Sequence, residues 1–330
     1  LVGVVAAQTW VGFLEDTVFG RVINPAATWV VRRAIPVAWM QDLLVGKYGL
    51  VTMALTYSLA IILPIVGMFF LCFGFLEDVG YLPRLAVLAD RACRVVGLNG
   101  KAVLPLVLGL GCGTMATMTA RTLESRRDQL IVTLLLALAV PCSAQLGVIL
   151  AMLSPLPPLA MGIWIGVVLL SMISAGQLAS RWLRGQPSPF LYEIPPLRRA
   201  KLSNVAIKTL GRVEWYVREA VPLFLLGTLA LFLLDRLGAL ASLERWGAPV
   251  VVRWLGLPAQ ATAAFIVGFL RRDFGAAGLF AMQRDGALTA AQTLVSVITI
   301  TLFVPCLAQY LMMAKERGWK TATLLGAVVT

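Results

Sequence analysis

The sequence predicts an all-α polytopic membrane protein, built as an inverted repeat of two units. Each unit carries a re-entrant hairpin and a helix broken at Pro-Cys. Three observations lead there. The 330-residue chain is 59% hydrophobic and only 13% charged, with a mean hydropathy of +0.87. That balance belongs to helical membrane proteins rather than soluble domains. Residues 140–145 read Val-Pro-Cys-Ser-Ala-Gln and residues 304–309 read Val-Pro-Cys-Leu-Ala-Gln, each inside a long apolar segment. Two further apolar stretches are interrupted, one by glycines and one by charges. Broken helices at corresponding places in two halves point to a transport site.

Taken in order, residues 1–14 would form a helix of about 21 Å, short of a ~30 Å hydrocarbon core. The apolar run that begins at residue 321 ends after 330. The expectation is an excised membrane portion of a longer chain, with no signal-peptide layout. Clear spans are expected at 48–75, 129–153, 156–179, 220–235 and 292–313. Residues 102–120 carry Gly109, Gly111 and Gly113, and fit a plain span or a hairpin, with the hairpin favoured. Residues 258–284 carry Arg271, Arg272 and Asp273 in mid-segment. Charges at bilayer depth are costly against lipid, so this stretch reads as a re-entrant hairpin buried in protein.

Four divisions follow. They are 1–47, a first span and outer loop; 48–179, the first repeat with its following span; 180–219, a basic connector with Pro187, Pro189, Pro195 and Pro196; and 220–330, the second repeat with a last span. Residues 204–219 and 85–96 have amphipathic patterns and read as interfacial helices. With 76–101, 121–128, 180–219 and 314–320 inside, most of the 28 Lys and Arg residues are cytoplasmic. That orientation makes the two Pro-Cys helices antiparallel, each preceded by a broken hairpin. This is the inverted-repeat plan of secondary transporters.

The chemistry is sulfur and oxygen. Cys142 and Gln145 are three residues apart, as are Cys306 and Gln309, so thiol and amide share a helix face. Pro141 and Pro305 lack an N–H, which frees the carbonyls of Ala137 and Thr301. Cys112 lies in a Gly- and Thr-rich stretch beside Thr114, Thr117 and Thr119. The candidate metal residues are Cys112, Cys142, Cys306, Gln145 and Gln309. Gly109, Gly111, Pro141 and Pro305 shape the breaks. Arg272 and Asp273 read either as a structural ion pair or as a gate. Glu77 and Asp78 read as a solvated helix end or as collectors of cations. Cys72 and Cys93 lack a helix break and read as packing residues.

The chain has no His, which removes imidazole from any site. Its five Cys show neither CxxC nor a secretory pairing pattern. Thiolate suits Fe(II), Cu(I) and Zn(II) better than Mg(II) or Ca(II). The net charge of +12 is explained by topology, so a nucleic-acid partner is not expected. The expected surroundings are a lipid bilayer and a metal ion.

Several stretches together resemble one family. Leu76-Glu-Asp-Val-Gly-Tyr81 with Arg84, Gly97-Leu-Asn-Gly-Lys101, Gly109-Leu-Gly-Cys112, the run from Ala120 to Arg126, and Pro305-Cys306 are similar to the membrane domain of the FeoB ferrous iron transporters. The likeness runs in order from about residue 40 to the C-terminus. It implies two gate repeats, a bacterial inner (cytoplasmic) membrane location and Fe(II) as transported substrate. It also implies an N-terminal GTPase domain, through which alone GTP and Mg would enter, and leaves homo-oligomer formation open. No GxxxxGK[ST] loop occurs in this chain, so a transporter portion rather than an enzyme is expected. The chain departs from the commoner family pattern at three places. It has Gly113-Thr114-Met115 for Asn-Val-Pro, Cys142-Ser-Ala-Gln-Leu-Gly147 for Cys-Ser-Ala-Arg-Leu-Pro, and Arg272-Asp273 for a Lys-Glu pair. These bear on which metal is carried. The competing readings are a transporter of another divalent metal or of a nucleoside-like solute, and a non-transporting membrane scaffold.

Overall fold

The computed structural model describes residues 24–34, 38–46, 49, 63–183, 198, 200–302 and 305–329. The expected first span, residues 50–62 of the second span, and the four connector prolines lie outside these. The described residues are helical, with no strand among them, as expected for an all-α membrane protein. They divide into two units: Leu1–Tyr81 with Pro195–Ala239, and Leu82–Ile194 with Leu240–Thr330.

In the first unit, α1 (Asn24–Ala34) and α2 (Ala38–Val45) pack together, and α3 (Leu63–Asp78) lies along a helix from the connector, residues 202–236. Gly74 faces the seam between them. A Cβ there would stand 3.6 Å from Val205 Cγ1 and from Thr209 Oγ1. At the end of α3, Glu77 accepts from Arg212 at 2.6 Å and from Lys208 at 3.2 Å, and Asp78 accepts from the Lys201 N–H at 2.8 Å. The Arg212 guanidinium also lies over the rings of Phe70 and Phe73, at 5.8 and 5.3 Å from their centroids. The two carboxylates are thus engaged by cations and an N–H of their own unit. Cys72 is exposed on α3 rather than packed, whereas Cys93 is buried.

In the second unit, α4 (Tyr81–Val95) is the amphipathic helix expected at 85–96. Gly97, at φ +80°, turns the chain after it, and Asp90 Oδ1 accepts from the Gly100 N–H at 2.8 Å. Then come α5 (Val103–Gly111), α6 (Gly113–Thr119), α7 (Arg126–Leu138), α8 (Ser143–Leu153) and α9 (Pro158–Trp182). Helix α10 (Leu202–Arg236) belongs to the first unit. It runs unbroken through residues 219 and 220, where connector and span were expected to separate. The connector's amphipathic pattern and the apolar run share one helical period, and Pro222 does not end it. The second unit resumes with α11 (Ala239–Trp254), α12 (Ala261–Leu270), α13 (Arg272–Arg284), α14 (Ala290–Leu302), α15 (Leu307–Arg317) and α16 (Trp319–Val329).

Three stretches among the described residues are long and apolar enough to cross a membrane: Arg126–Leu153, Pro158–Trp182 and Ala290–Arg317. They coincide with the expected spans at 129–153, 156–179 and 292–313. The span expected at 220–235 lies within the continuous helix of residues 202–236. Helix α9 buries Trp164, Gly176 and Ala179 but leaves Leu159, Leu170 and Trp182 at 73%, 68% and 80% exposure. Such a bare apolar face suits lipid rather than water. The core joins both ends of the unit: Ile149, Met152 and Trp164 pack with Phe265, Leu279, Val297 and Ile300. Beneath it, buried Asp128 pairs with Arg127 at 3.2 Å, and Arg127 also donates to the Ser180 carbonyl.

Two outcomes follow from this packing. Burial alone would raise the Glu77 carboxyl, but hydrogen bonds and charge from Arg212 and Lys208 outweigh it and hold it below its ordinary value. Folding therefore favours the anion. The contribution is complete above the ordinary carboxylate range and is lost as pH falls through the depressed folded value. Acid titration of thermal unfolding should show this acid-side loss in the parent and a flatter profile in Glu77→Gln. The second concerns the contact of α12 with α13. A Cβ at Gly275 would fall 2.5 Å from Gly268 Cα and 2.7 Å from the Ala264 carbonyl oxygen, both backbone atoms. Gly275→Ala should cost about 1–3 kcal/mol of stability. Gly147→Ala, where nothing lies within 4 Å, should be neutral or slightly stabilising in the same unfolding assay.

Candidate functional site

Two helical hairpins and two helix starts, all within the second unit, carry the candidate residues. The α5–α6 hairpin turns at Cys112, whose extended backbone (φ −150°, ψ 116°) separates two helices that pack on each other. The α12–α13 hairpin turns at Arg271 with nearly the same backbone, φ −146° and ψ 113°. Helix α7 ends at Leu138 and α8 begins at Ser143, with Pro141 and Cys142 between. Helix α14 ends at Leu302 and α15 begins at Leu307, with Pro305 and Cys306 before it. Cys112, Cys142 and Cys306 are therefore all N-cap residues. Each stands where a helix start leaves backbone N–H groups without intrahelical partners.

The packing crosses between the halves. Helix α13 packs on α8, and α6 packs on α15. Gln145, fully buried on α8, donates through Nε2 to the Ile300 carbonyl at 2.8 Å. Its Oε1 is buried without a partner. Gln309, buried on α15, lies against Gly113, where a Cβ would come within 2.8 Å of Oε1. Its Nε2 is likewise buried without a partner. Ser143 Oγ donates to the Gly111 carbonyl at 3.1 Å, joining the first break to the tip that carries Cys112.

Of the sequence-derived residues, Cys112, Cys142, Cys306, Gln145 and Gln309 thus meet in one region. Cys306 lies within electrostatic range of both Cys112 and Cys142. No three Cys, Asp or Glu side chains among the described residues converge tightly enough to hold a metal ion at once. The threonines beside Cys112 are used locally. Thr117 donates to the Gly113 carbonyl and Thr119 to the Met115 carbonyl. Glu77 and Asp78 belong to the first unit, in the ion-paired end of α3.

The charged tip resolves into two separate roles. Asp273 pairs with Arg271 at 2.5 Å, and that guanidinium stacks on Phe274. Arg272, only 5% exposed, turns the other way and donates to the carbonyls of Ala137 and Val140. Adjacent residues on a helix point about 100° apart, which is why Arg272 and Asp273 do not face each other. Ala137 is the residue whose carbonyl Pro141 deprives of its helical donor, so its partner comes from α13. Two contributors escaped the sequence reading. Trp164 Nε1 donates to Thr301 Oγ1 at 3.1 Å, and Ser143 bridges to Gly111. A Trp on an apolar helix and a Ser after Cys carry no distinctive spacing.

Comparison with known proteins gives two family matches. One, described as Gate, nucleoside recognition, covers residues 59–156 and 217–320. The other, described as ferrous iron transport protein B C terminus, covers residues 161–212. Relatives carry the name Fe(2+) transporter FeoB. The protein of Methanocaldococcus jannaschii is 26% identical over 302 residues, 80% of this chain and 44% of its own length. That of Legionella pneumophila (strain Philadelphia 1) is 30% identical over 168 residues, 49% of this chain and 22% of its own. That of Staphylococcus aureus (strain COL) is 25% identical over 350 residues, 96% of this chain and 52% of its own. The chain spans about half the length of these relatives or less. No solved structure matches it.

Proposed function

Since the chain belongs to the membrane-domain family of the FeoB ferrous iron transporters, we propose that it forms the membrane path through which Fe(II) is imported. Cys112, Cys142 and Cys306 act as relay ligands. The carrying observation is that these three thiols, alone of the five, cap the starts of helices at breaks in the apolar interior. Their spacing suits sequential rather than simultaneous binding, because no three acidic or thiol groups among the described residues close on one point. Sequential contact also suits transit. Metal binding drives the thiol proton off and strengthens the bond, so a full thiolate cage would trap the ion. Gln145 Oε1, buried and unpartnered, supplies a neutral oxygen beside Cys142, and Gln309 a second amide beside Cys306.

The path lies between two gate repeats of inverted orientation, 48–179 and 220–330, with the connector 180–219 on the cytoplasmic side of a bacterial inner membrane. Two matches to one family description, at 59–156 and 217–320, support the repeat. The near-identical backbones at Cys112 and Arg271 support pairing the two hairpins. An N-terminal GTPase domain, carrying GTP and Mg, would join this portion in the full-length protein.

In liposomes containing the full-length protein, Cys142→Ser or Cys306→Ser should cut Fe(II) uptake about tenfold or more, with expression unchanged. Cys72→Ser and Cys93→Ser should leave uptake near the parental rate. Mn(II) and Zn(II) run in parallel would rank selectivity, and parental uptake in these four variants and in Cys112→Ser would remove the thiol path. The topology has its own check. Single cysteines placed at Pro258 and Gly286 should label from the same outer side if 258–284 enters and leaves without crossing. Labelling from opposite sides would end both the re-entrant hairpin and the repeat alignment.

A further inference from the structure

A groove in the second unit runs along one face of α12. Thr262, Phe265, Ile266 and Phe269 line it at the spacing of a single helical face, so it extends about 10 Å along that helix. Leu243, Gly247, Val250 and Val251 share one face of α11 and form a second wall. Thr299 of α14, Tyr310 of α15 and Thr323 of α16 complete it. The groove encloses about 630 Å³, within the roughly 300–1,000 Å³ of small-molecule sites. No charged residue is among those lining it. Its hydroxyls are spent on the protein: Thr299 donates to the Val295 carbonyl at 2.8 Å and Thr323 to the Trp319 carbonyl at 2.9 Å. Thr262 turns its methyl toward α11, 3.1 Å from where a Cβ at Gly247 would stand. Such walls offer nothing to a metal ion or a nucleotide and favour hydrocarbon.

Two observations say which hydrocarbon. Thr299 and Tyr310 belong to the stretch Ala290–Arg317, long and apolar enough to cross a membrane. The groove therefore lies at bilayer depth, where the surrounding medium is lipid chains. Its rim, in turn, carries the groups that meet a lipid head. On α11, Trp254 continues the groove face by one turn beyond Val250, and Trp246 and Arg253 border that face. Trp246 and Trp254 are 83% and 86% exposed, and Arg253 is exposed beside them. Indole rings settle at the membrane–water boundary, and a guanidinium matches a phosphate in charge and geometry. We propose that this groove is a phospholipid site, with one acyl chain lying along α12 and the phosphate held at Arg253 beside Trp246 and Trp254. Cys112, Cys142 and Cys306 are not among its lining residues, and the site does not depend on the transport reading.

The test uses two photoreactive lipids in phosphatidylcholine nanodiscs holding the full-length protein, with adducts located by peptide mass mapping. One is a phosphatidylglycerol with a diazirine at the end of one acyl chain. The other is a diacylglycerol with the same chain and no phosphate. In the parent, the phosphatidylglycerol probe should mark Phe265, Ile266 or Phe269 about fivefold more than the diacylglycerol, the order expected for one arginine at a charged lipid surface. At Leu170, on the bare face of α9, the two probes should label alike. Arg253→Gln should bring the probes level in the groove. Ala327→Trp, whose ring would fill the groove from an exposed position on α16, should remove α12 labelling and leave Leu170 labelled. The same probe ratio in the groove as at Leu170 in the parent would overturn the proposal, since bulk lipid would account for it. An unlabelled groove beside a labelled Leu170 would also overturn it, showing that protein fills the space, whether more of this chain or a second copy. Neither outcome requires a variant to fold.

Discussion

Every backbone carbonyl and N–H buried in an apolar setting must find a partner, and the second unit is organised around meeting that demand where its helices break. Pro141 withdraws a donor from Ala137, and the replacement arrives from a residue 135 positions later, Arg272. Near the second break the same service runs the other way, from Gln145 to Ile300 over a separation of 155. Once such bonds are required, much of the architecture follows. The tip at Arg271 must reach the first break, so α12 and α13 must be thin where they touch, and Gly268 and Gly275 meet there. The tip at Cys112 lies against the Gln309 amide, which Gly113 meets without a side chain. A hydrophobic core could be filled in many ways. These bonds allow few.

Much of this was legible in the sequence, and the parts that were not have physical reasons. Each Pro-Cys pair of the duplicated motif stands just before a helix start, at Ser143 and at Leu307, because proline's missing N–H acts locally, whatever the tertiary fold. Gly109, Gly111 and Gly113 located the first hairpin for a similar reason. The charged tip could be placed but not resolved. Three charges in sequence do not say which two pair, and only the extended backbone at Arg271 turns that side chain toward Asp273 and frees Arg272 for the break. The freed Ala137 carbonyl was foreseen while its partner was not, because long-range hydrogen bonds leave no periodic trace. The boundary at residue 219 followed a change in composition. Composition can change without interrupting a helix, and α10 continues across it.

The glutamines show how a buried polar group can serve structure and chemistry together. Gln145 spends its amide N–H on Ile300 and keeps an acceptor in reserve, while Gln309 keeps a donor. An orphaned buried polar atom costs about 1–3 kcal/mol, so a purely structural element would gain by closing both. Half-satisfied amides beside thiols at helix starts are an expense the packing alone does not explain. A passing cation would account for the open Gln145 oxygen, though not for the Gln309 N–H, which can only donate.

Helix α10 carries a mechanical consequence. Thirty-five residues make a rod about 52 Å long, clamped near one end by Glu77 and Asp78 through Lys201, Lys208 and Arg212. Pro222 withholds an N–H from the Arg218 carbonyl, so the rod has one internal bond fewer just beyond the clamp. Its stiffness is uneven by design of the sequence. The far end is tied as well, by Arg236 to Asp42 at 3.8 Å, so the weakest cross-section of this helix sits between two tethered ends, where its charged half meets its apolar half.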